Sequence, residues 1–360
     1  MLSRGRVIRV STDIRPEGMK KPKFFDEVKG VASKHWQQLE ENPQLAGPWH
    51  QLFMQVQSPR HVVSELLQNA DDAGATEATA NIVDGVFVFT HNGEDFNDEN
   101  FASLCRFGHS NKRSLQTIGF RGIGFKSTFS LGDEVQIRTS TLGVVFKQER
   151  FTEPIWVGGR PLSHTEIRVR IKHPEVTVKL EKNLQEWIKS PTSLLFFKSI
   201  RSFRVGTQTT EWTVHGVGPV PNSKWLSSSN DPESQYLLIS SEPEDFPSSA
   251  VEEIRRERMS SNADTQRLPP CTVEIVLEMA GELFVVLPTT IKTDLPFACN
   301  APFIQDPNRV RIKEPAMSAT NRWLLERAGK LAANSMLAWL GNSQLKPQAR
   351  AEAYALMPDV

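Results

Sequence analysis

The helix that begins just after Ser58 limits the possible folds of this chain more than any other sequence feature. Ser58 and Pro59 suit the cap and the first position of a helix. At about 100° per residue, Glu65, Asn69 and Asp72 project within roughly 60° of one another. The apolar side chains between them face the other way and can pack on a sheet. The sequence therefore predicts an amphipathic helix with a carboxylate, an amide and a second carboxylate along one face.

These residue types suit magnesium-dependent hydrolysis of ATP. Asn69 offers a neutral oxygen to Mg²⁺, which prefers oxygen ligands and keeps several of its waters. Glu65 stands one turn earlier and could polarise a water for attack on the γ-phosphate. For this helix alone, a solvated polar face is the alternative, because most amphipathic helices carry one.

A glycine-rich run, IGFRGIGFKS, follows further along the chain and places Gly119, Gly122 and Gly124 in a GxxGxG pattern. Glycine permits positive φ and close backbone approach, and successive amides before a helix can bind phosphate oxygens. Lys126 is expected to add positive charge near the phosphates. The run matches neither the P-loop pattern nor the Rossmann fingerprint. For this run alone, an ordinary glycine-rich turn is the alternative.

The two segments together resemble the GHKL ATPases, the group of gyrases, heat-shock chaperones, histidine kinases and mismatch-repair proteins. An E-x-x-x-N-x-x-D-A helix precedes a pair of predicted strands and then the GxxGxG run, which is the order found in that group. IGFRGIGFKSTF is similar to the third motif of the heat-shock chaperones, and ELLQNADDAGA resembles the sacsin-type branch. The resemblance covers roughly residues 50–172 and implies a Bergerat-type site for ATP and Mg²⁺.

The resemblance also implies roles for single residues. Glu65 would be the general base, Asn69 the Mg²⁺ ligand and Asp72 a nearby polar support. The three glycines would wrap the phosphates, and Thr165, in a strand reading HTEI, would help to hold adenine. The other residues expected to contact the nucleotide are Ala73, Gly93, Phe96, Arg121, Ile123, Phe125, Lys126 and Ser127.

One departure from the family pattern concerns recognition of the adenine base. Many relatives use a D-x-G motif whose aspartate binds the adenine amino group, whereas the corresponding stretch here reads HNG and places His91 first. Asn92, a neighbouring group or a bridging water would then accept the adenine N6 hydrogen bond. The alternative for His91 is an ordinary turn histidine.

Hairpin signals mixed with helical patterns predict an α+β fold. The resemblance makes this a Bergerat two-layer sandwich followed by a second, middle- or transducer-like α/β domain. We expect a basic arm over 1–25, the ATP-binding domain over 26–173, the second domain over 174–345 and a C-terminal helix over 346–360. Residues 227–261 are rich in Ser, Pro and Glu and are the best candidate for an inserted or disordered loop.

A basic cluster in the second domain is a candidate for a further catalytic group. In the wider superfamily, a middle domain brings a Lys or Arg to the γ-phosphate, and Arg309 is the residue expected to do so here. Arg311 and Lys292 are weaker candidates for the same role. A surface arginine paired with a nearby carboxylate is the alternative for Arg309.

Charge and cysteine content limit the classes of binding partner and the cellular compartments that the sequence suggests. The 42 basic residues balance 42 acidic ones, which gives no support for a nucleic-acid-binding surface. Three widely spaced cysteines form no zinc or disulfide pattern, which favours a reducing, cytoplasmic compartment. The N-terminus does not resemble a signal peptide, and no apolar run is long enough for a membrane helix.

These features predict an ATPase with slow turnover, in which a lid over roughly 105–121 closes on the nucleotide. Expected partners are ATP and ADP, a protein partner or client, and a second copy in a homodimer. By family analogy the setting is chaperone-like remodelling or a bacterial defence system. The main alternative is an ATP-gated interaction module that hydrolyses little. Kinase-like phosphoryl transfer is a third, weaker reading, because no phospho-acceptor histidine box is recognisable.

Overall fold

A computed structural model provides the structure of this chain. It describes residues 18–42, 44, 46–47, 51, 53–54, 59–106, 124–190, 192–257, 268–306 and 311–358. The α-helices in this part of the chain are α1 (Lys23–Glu41), α2 (Pro59–Asp72), α3 (Asp98–Leu104), α4 (Pro174–Lys189), α5 (Ser248–Glu257), α6 (Ala319–Gly341) and α7 (Pro347–Ala351). Short 3₁₀ helices span Gly124–Ser130, Gln148–Arg150 and Glu352–Leu356.

The strands follow one another along the chain and hydrogen-bond into one continuous order. They are β1 (Glu77–Val83), β2 (Val86–His91), β3 (Glu134–Arg138), β4 (Gly143–Lys147), β5 (Ile155–Trp156), β6 (Thr165–Arg170), β7 (Ser202–Val205), β8 (Gln208–Val217), β9 (Ser223–Ser228), β10 (Asp231–Ser240), β11 (Glu274–Val276), β12 (Glu282–Val285), β13 (Leu287–Lys292) and β14 (Ala298–Asn300). Across the sheet the order is β13-β12-β14-β11-β10-β9-β8-β7-β1-β2-β6-β3-β4-β5.

This sheet is mixed but mostly antiparallel. Within the described strands, β1 runs parallel to β7 and β12 runs parallel to β14. The remaining ladders between neighbours are antiparallel, as hairpin connections require. The chain is therefore of the mixed α+β class, as the sequence predicts. The Bergerat layout and the second domain stay predictions.

Strand β8 connects the front half of the sheet to the back half. Residues 208–211 of β8 pair with β7, whereas most of the residues that follow pair with β9. Because β7 in turn lies beside β1, residues beyond the expected boundary at 173 extend the front half of the sheet. The division of the chain into domains stays a prediction.

Helix α2 covers the front half of the sheet with one apolar face. The side chains on that face are at most 1% exposed, and burying each one stabilises the fold by about 1.5–3 kcal/mol. They belong to the same core as the inward-facing residues of β2 and β6, whose burial alternates along the strand. The buried residues of α2 are Val62, Val63, Leu66, Leu67 and Ala70.

The expected loop over 227–261 is largely regular structure. It contains the end of β9, all of β10 and helix α5, while its last residues fall outside the described part of the chain. Leu237 and Ile239 of β10 and Ile254 of α5 are buried in the second core. For the described residues the composition is a poor guide, because serine, proline and glutamate on the exposed faces dominate it, whereas the few apolar residues, among them those of a strand that the sequence predicts near 235–240, decide the fold.

The end of the expected N-terminal arm packs into the molecule. Helix α1 begins at Lys23, and Phe25 is 1% exposed, with its ring 5.8 Å from Phe101 and 5.4 Å from Trp156. Residues 1–17 lie outside the described part. None of the described helices combines the length and apolarity that crossing a membrane requires.

Candidate functional site

A pocket opens between α2, α3, the loop after β2, the 3₁₀ helix that begins at Gly124, and the floor formed by β3 and β6. Its polar lining residues are Glu65, Asn69, Asp72, His91, Glu94, Asp95, Asn100, Ser103 and Thr165. The other lining residues are Leu66, Ala73, Phe96, Leu104, Gly124, Phe125, Ile137 and Ile167. The pocket thus has an acidic and amide wall on α2 and an apolar floor.

The polar face of α2 is the first wall of this pocket. Glu65, Asn69 and Asp72 all line it, as their helical spacing requires. Glu65 and Asn69 are half-buried, and Asp72 is exposed at the end of the helix. Ala73 follows directly and also lines the pocket. The three side chains that the sequence places on one face therefore meet one cavity.

Gly124, the last glycine of the GxxGxG pattern, lies directly against Glu65. A Cβ atom added to Gly124 would overlap Oε2 of Glu65, so only glycine fits there without a shift. Phe125 follows and lines the pocket, whereas Ser127 is buried away from it. The expected contacts of Gly119, Arg121, Gly122 and Ile123 lie outside the described residues, as do Arg309 and most of the expected lid.

Lys126, which the glycine-rich run leads us to expect near the phosphates, is not among the lining residues of the pocket. The side chain is fully buried, and Nζ donates a hydrogen bond to the Leu104 carbonyl at 2.5 Å. Nζ also lies 4.9 Å from the centre of the Phe125 ring and 5.5 Å from that of Phe146. Burial lowers the pKa of Lys126 to about 8, with the nearby Cys105 acting in the opposite direction.

His91 lines the pocket at the end of β2, directly across from Thr165 on β6. Its side chain is 8% exposed, and Nδ1 accepts a hydrogen bond from the Gly93 amide at 3.2 Å. Burial lowers the pKa of His91 to about 4, the nearby His164 lowers it further, and Asp95 raises it. The imidazole is therefore neutral near pH 7.

Asn92 has a structural role that differs from the predicted contact with the base. Its Oδ1 accepts the backbone N–H groups of Thr76 at 2.9 Å and of Glu77 at 3.0 Å. Its Nδ2 donates to the Thr76 hydroxyl at 2.8 Å. The side chain is thus engaged at the start of β1, away from the lining of the pocket, because turn asparagines readily bind nearby backbone.

Gly93 packs tightly against the end of α2. A Cβ atom at this position would lie 2.8 Å from the Ala73 carbonyl oxygen and 3.0 Å from Nδ1 of His91. The next amide, that of Glu94, donates to the same Ala73 carbonyl at 2.8 Å. The loop after β2 is therefore fixed to α2, although Gly93 itself is not among the lining residues.

Asp95 is a lining residue that the sequence reasoning missed. Its carboxylate accepts from the Ser140 hydroxyl at 2.5 Å, from the amide and hydroxyl of Thr141 at 3.0 Å each, and from the Phe96 amide at 2.7 Å. Burial raises its pKa, but the hydrogen bonds, including one from Thr139, outweigh burial, and the pKa of Asp95 lies below its ordinary value. Asp95 joins the loop beside His91 to the β3–β4 turn.

Asn100 and Ser103 were also missed. They lie nearly one turn apart on α3 and line the pocket, while Phe101 on the other side of the helix is buried. Asn97 caps this helix through a 2.7 Å hydrogen bond from the Asn100 amide, as asparagine at this position favours. The period of α3 carries the signal that would have found both polar residues, because they share the face opposite Phe101.

Thr165, Ile137 and Ile167 form the part of the pocket floor that belongs to the sheet. Thr165 is only 2% exposed and Ile167 is 6% exposed, so this floor is shielded from solvent. Ile137 and Ile167 are register partners on β3 and β6 and present adjacent aliphatic surface. A flat apolar group, such as a nucleobase, fits this kind of surface.

The residues of α2 suit a bound magnesium ion. Mg²⁺ is usually held by one or two protein oxygens together with water and phosphate oxygens. Asn69 offers an amide oxygen between the two carboxylates of Glu65 and Asp72, on the same wall as the Gly124 backbone. The described part of the pocket therefore offers oxygen ligands for the ion, while most of the residues expected at the phosphates lie outside the described residues.

Comparison with known proteins gives partial matches. Human sacsin is 30% identical over 105 residues, which is 24% of this chain and 2% of sacsin. The DNA mismatch repair protein MutL of Chlorobium chlorochromatii (strain CaD3) is 38% identical over 108 residues, which is 26% of this chain and 17% of MutL. No protein-family model matches the chain. Over about a quarter of its length, the chain therefore has a GHKL-like relationship to known ATPase families.

Proposed function

We propose that this pocket binds ATP together with Mg²⁺ and slowly hydrolyses the bond to the γ-phosphate. One observation carries the proposal: Glu65 and Asn69 line the same pocket as Gly124, and Glu65 lies directly against this glycine. A carboxylate and an amide thus face the backbone that begins the 3₁₀ helix. The partial similarities to sacsin and MutL support the same class of site.

Each residue has a defined task in this proposal. Asn69 binds Mg²⁺ through its amide oxygen, and Asp72 supports the waters around the ion. When bound, Mg²⁺ neutralises charge that develops on the phosphate oxygens. Glu65 takes the proton from the attacking water, and its fixed place on α2 aims the carboxylate. Thr165 and Ile137 contact the base on the floor.

Further parts of the proposal rest on family resemblance. ATP binding and hydrolysis would be coupled to lid closure and a conformational change, and Arg309 would contact the γ-phosphate. The same resemblance is the basis for proposing a protein partner or client and a homodimer. It is also the basis for proposing a chaperone-like or defence setting. The matched stretch spans 2% of sacsin and 17% of MutL, so the activities of those whole proteins are not transferred here.

A phosphate-release assay with and without Mg²⁺ tests the proposal. The parent should release phosphate only with Mg²⁺, and Glu65→Ala should bind ATP while losing about 10²–10⁴-fold in turnover. Glu94→Gln is the matched control, because Glu94 is an exposed carboxylate on the same pocket with no assigned task. Its turnover should stay within about twofold of the parent.

The outcomes separate the two candidate functions. Turnover of Glu65→Ala at the parent rate would remove the assigned base. Tight ATP binding by the parent without phosphate release would instead favour the ATP-gated interaction module, which requires only that ATP prefer one of two conformations. Failure of the parent to bind ATP in the presence of Mg²⁺ would contradict both.

A further inference from the structure

The pocket-facing nitrogen of His91 is a hydrogen-bond donor. Because Nδ1 accepts the Gly93 amide hydrogen at 3.2 Å, Nδ1 carries no proton. The ring is buried and neutral, so its single proton is on Nε2. Within the described part of the chain, no hydrogen-bond partner is found for Nε2. A donor without a protein partner thus remains, on a residue that lines the pocket, for whatever the pocket binds.

Local packing holds this arrangement in place. Gly93 is pressed against the Ala73 carbonyl, and the following Glu94 amide is bonded to the same carbonyl. Turning the imidazole over would give up the hydrogen bond from the Gly93 amide inside a buried site, which is unfavourable. His91 therefore presents a fixed N–H group rather than an adaptable one.

The neighbouring polar groups do not replace an acceptor at this position. Thr165 faces His91 across β2 and β6 and has a hydroxyl that can donate or accept. The Asp95 carboxylate lies nearby, but its oxygens already accept four hydrogen bonds from Ser140, Thr141 and Phe96. The one polar atom that is both fixed and unpartnered at this end is the donor of His91, among the lining residues described.

The group at position 6 of a purine decides how the base can pair with the N–H of His91. The 6-amino group of adenine donates hydrogen bonds, and so it cannot pair with an imidazole N–H. That N–H pairs instead with a ring nitrogen of adenine, or with the 6-carbonyl oxygen of hypoxanthine or guanine. Sites that bind a substrate N–H through a dedicated acceptor reject analogues lacking it by about 10⁴–10⁵-fold. A donor in this place gives no such discrimination.

We propose that His91 makes the site permissive at position 6 of the purine, so that it binds 6-oxopurine triphosphates such as ITP about as tightly as ATP. This inference rests on the proposed function, because it takes the pocket to hold the base of a nucleoside triphosphate with position 6 of the purine against His91, the position that the resemblance assigns to the partner of the base. In this proposal, the N–H of His91 contacts the base and determines the selectivity among purines.

Equilibrium binding of three triphosphates to the parent protein tests the proposal without any variant. ATP, ITP and purine riboside triphosphate, which lacks a group at position 6, are titrated in Mg²⁺ as non-hydrolysable analogues. We expect dissociation constants within about threefold of one another, since a threefold ratio is under about 1 kcal/mol. ATP binding more than about thirtyfold tighter than the other two would overturn the proposal.

A substitution assigns the effect to His91. His91→Asp replaces the donor with an acceptor and should favour ATP over ITP by about tenfold or more, the ratio that corresponds to 1.4 kcal/mol. His164→Asp makes the same chemical change at a neighbouring residue outside the pocket lining and should leave the ratio unchanged. An unchanged ratio in a folded His91→Asp protein would contradict the assignment.

Failure of this inference differs from failure of the proposed function. If the parent binds ATP but discriminates strongly against ITP, the nucleotide site stands and only the role of His91 falls. If the parent binds none of the three triphosphates, the proposed function falls together with the inference. If His91→Asp does not fold, the three titrations of the parent still decide.

Discussion

The carboxylate of Glu65 lies against the Cα atom of Gly124, and no side chain fits between them. This contact joins the middle of α2 to the first residue of the 3₁₀ helix Gly124–Ser130. A larger residue would fit here only if the Glu65 carboxylate moved, because its Cβ atom would overlap Oε2 of Glu65. The same contact holds the proposed base beside the proposed phosphate-binding backbone.

Replacing Gly124 with alanine should therefore reduce both turnover and stability. The added methyl group overlaps Oε2 of Glu65, and the carboxylate must move to another rotamer. We expect at least a tenfold loss of phosphate release and a fall of about 1–3 kcal/mol in the free energy of unfolding. Phosphate release and urea denaturation measure the two effects.

Gly329→Ala is the control for this substitution. Gly329 is exposed in the middle of α6, and a Cβ atom there meets nothing within 4 Å. Alanine should raise the free energy of unfolding by about 0.5–1 kcal/mol and leave turnover unchanged. If Gly124→Ala kept the parent turnover, the contact would have no part in aiming Glu65.

Substitutions of the adjacent residues Asp71 and Asp72 should affect different properties. The first should lower stability and the second should weaken binding of Mg²⁺-ATP. Asp71 points away from the pocket and accepts the backbone N–H groups of Ser199 at 2.7 Å, Ile200 at 3.0 Å and Lys198 at 3.1 Å. Asp71→Asn should lower the free energy of unfolding by about 1–3 kcal/mol, because an amide replaces a charged acceptor at three backbone donors, two of them partly buried. Urea denaturation measures this loss.

Asp72→Asn is the matched variant one residue further along. It removes the same charge from an exposed side chain that lines the pocket. We expect a stability change within about 0.5 kcal/mol and weaker binding of Mg²⁺-ATP. Equal losses of stability in the two variants would show that the hydrogen bonds of Asp71 contribute little.

The sequence predicts the front of the molecule well because local signals there agree with the tertiary fold. The period of α2, the Asp84-Gly85 turn between β1 and β2, and the Asn97 cap of α3 are each set by a few neighbouring residues. The expected cap of α2, Ser58, lies outside the described residues. The back of the sheet is less predictable. Strands β9, β13 and β14 were missed, since short strands are defined mainly by their partners in the sheet.

The candidate site shows the same limit. Helical spacing places Glu65, Asn69 and Asp72 on one wall, because that relation is local. The direction of the Lys126 side chain depends on Leu104 and the aromatic rings around it, which no local pattern reveals. Asp95 was missed for the same reason, since it gains its place through contacts with the β3–β4 turn.

The buried imidazole of His91 should make stability depend on pH below neutrality. Its pKa falls from 6.5 to about 4 on folding, so between these values the unfolded chain binds a proton that the native chain does not. Stability is therefore fully present above pH 6.5 and is lost by roughly 3 kcal/mol as pH falls to 4. His91→Gln removes this proton-linked part.

Urea denaturation of the parent and of His91→Gln at pH 7, 5.5 and 4 measures the effect. The difference in free energy of unfolding between the two proteins cancels the other titrating groups. We expect this difference to shift against the parent by roughly 3 kcal/mol as pH falls from 7 to 4. Parallel curves for the two proteins would contradict the burial of a neutral imidazole.

The buried ammonium of Lys126 should act on stability in alkali, in the opposite part of the pH range. Its pKa falls from 10.5 to about 8 on folding, so between these values the unfolded chain again holds the extra proton and stability rises with pH. Lys126→Met fills a similar volume without a charge. The free energy of unfolding of Lys126→Met, relative to that of the parent, should be greatest near pH 7. This difference should shrink by roughly 3 kcal/mol by pH 10.5.

A nucleotide titration adds a second test of the same residue. Because Nζ donates to the Leu104 carbonyl inside the core, Lys126→Met should change the affinity for Mg²⁺-ATP by less than about threefold. Lys330→Met, at an exposed position on α6, is the control and should change stability by under about 0.5 kcal/mol at every pH. A loss of affinity of tenfold or more in Lys126→Met alone would mean that the ammonium group turns to the phosphates when nucleotide binds.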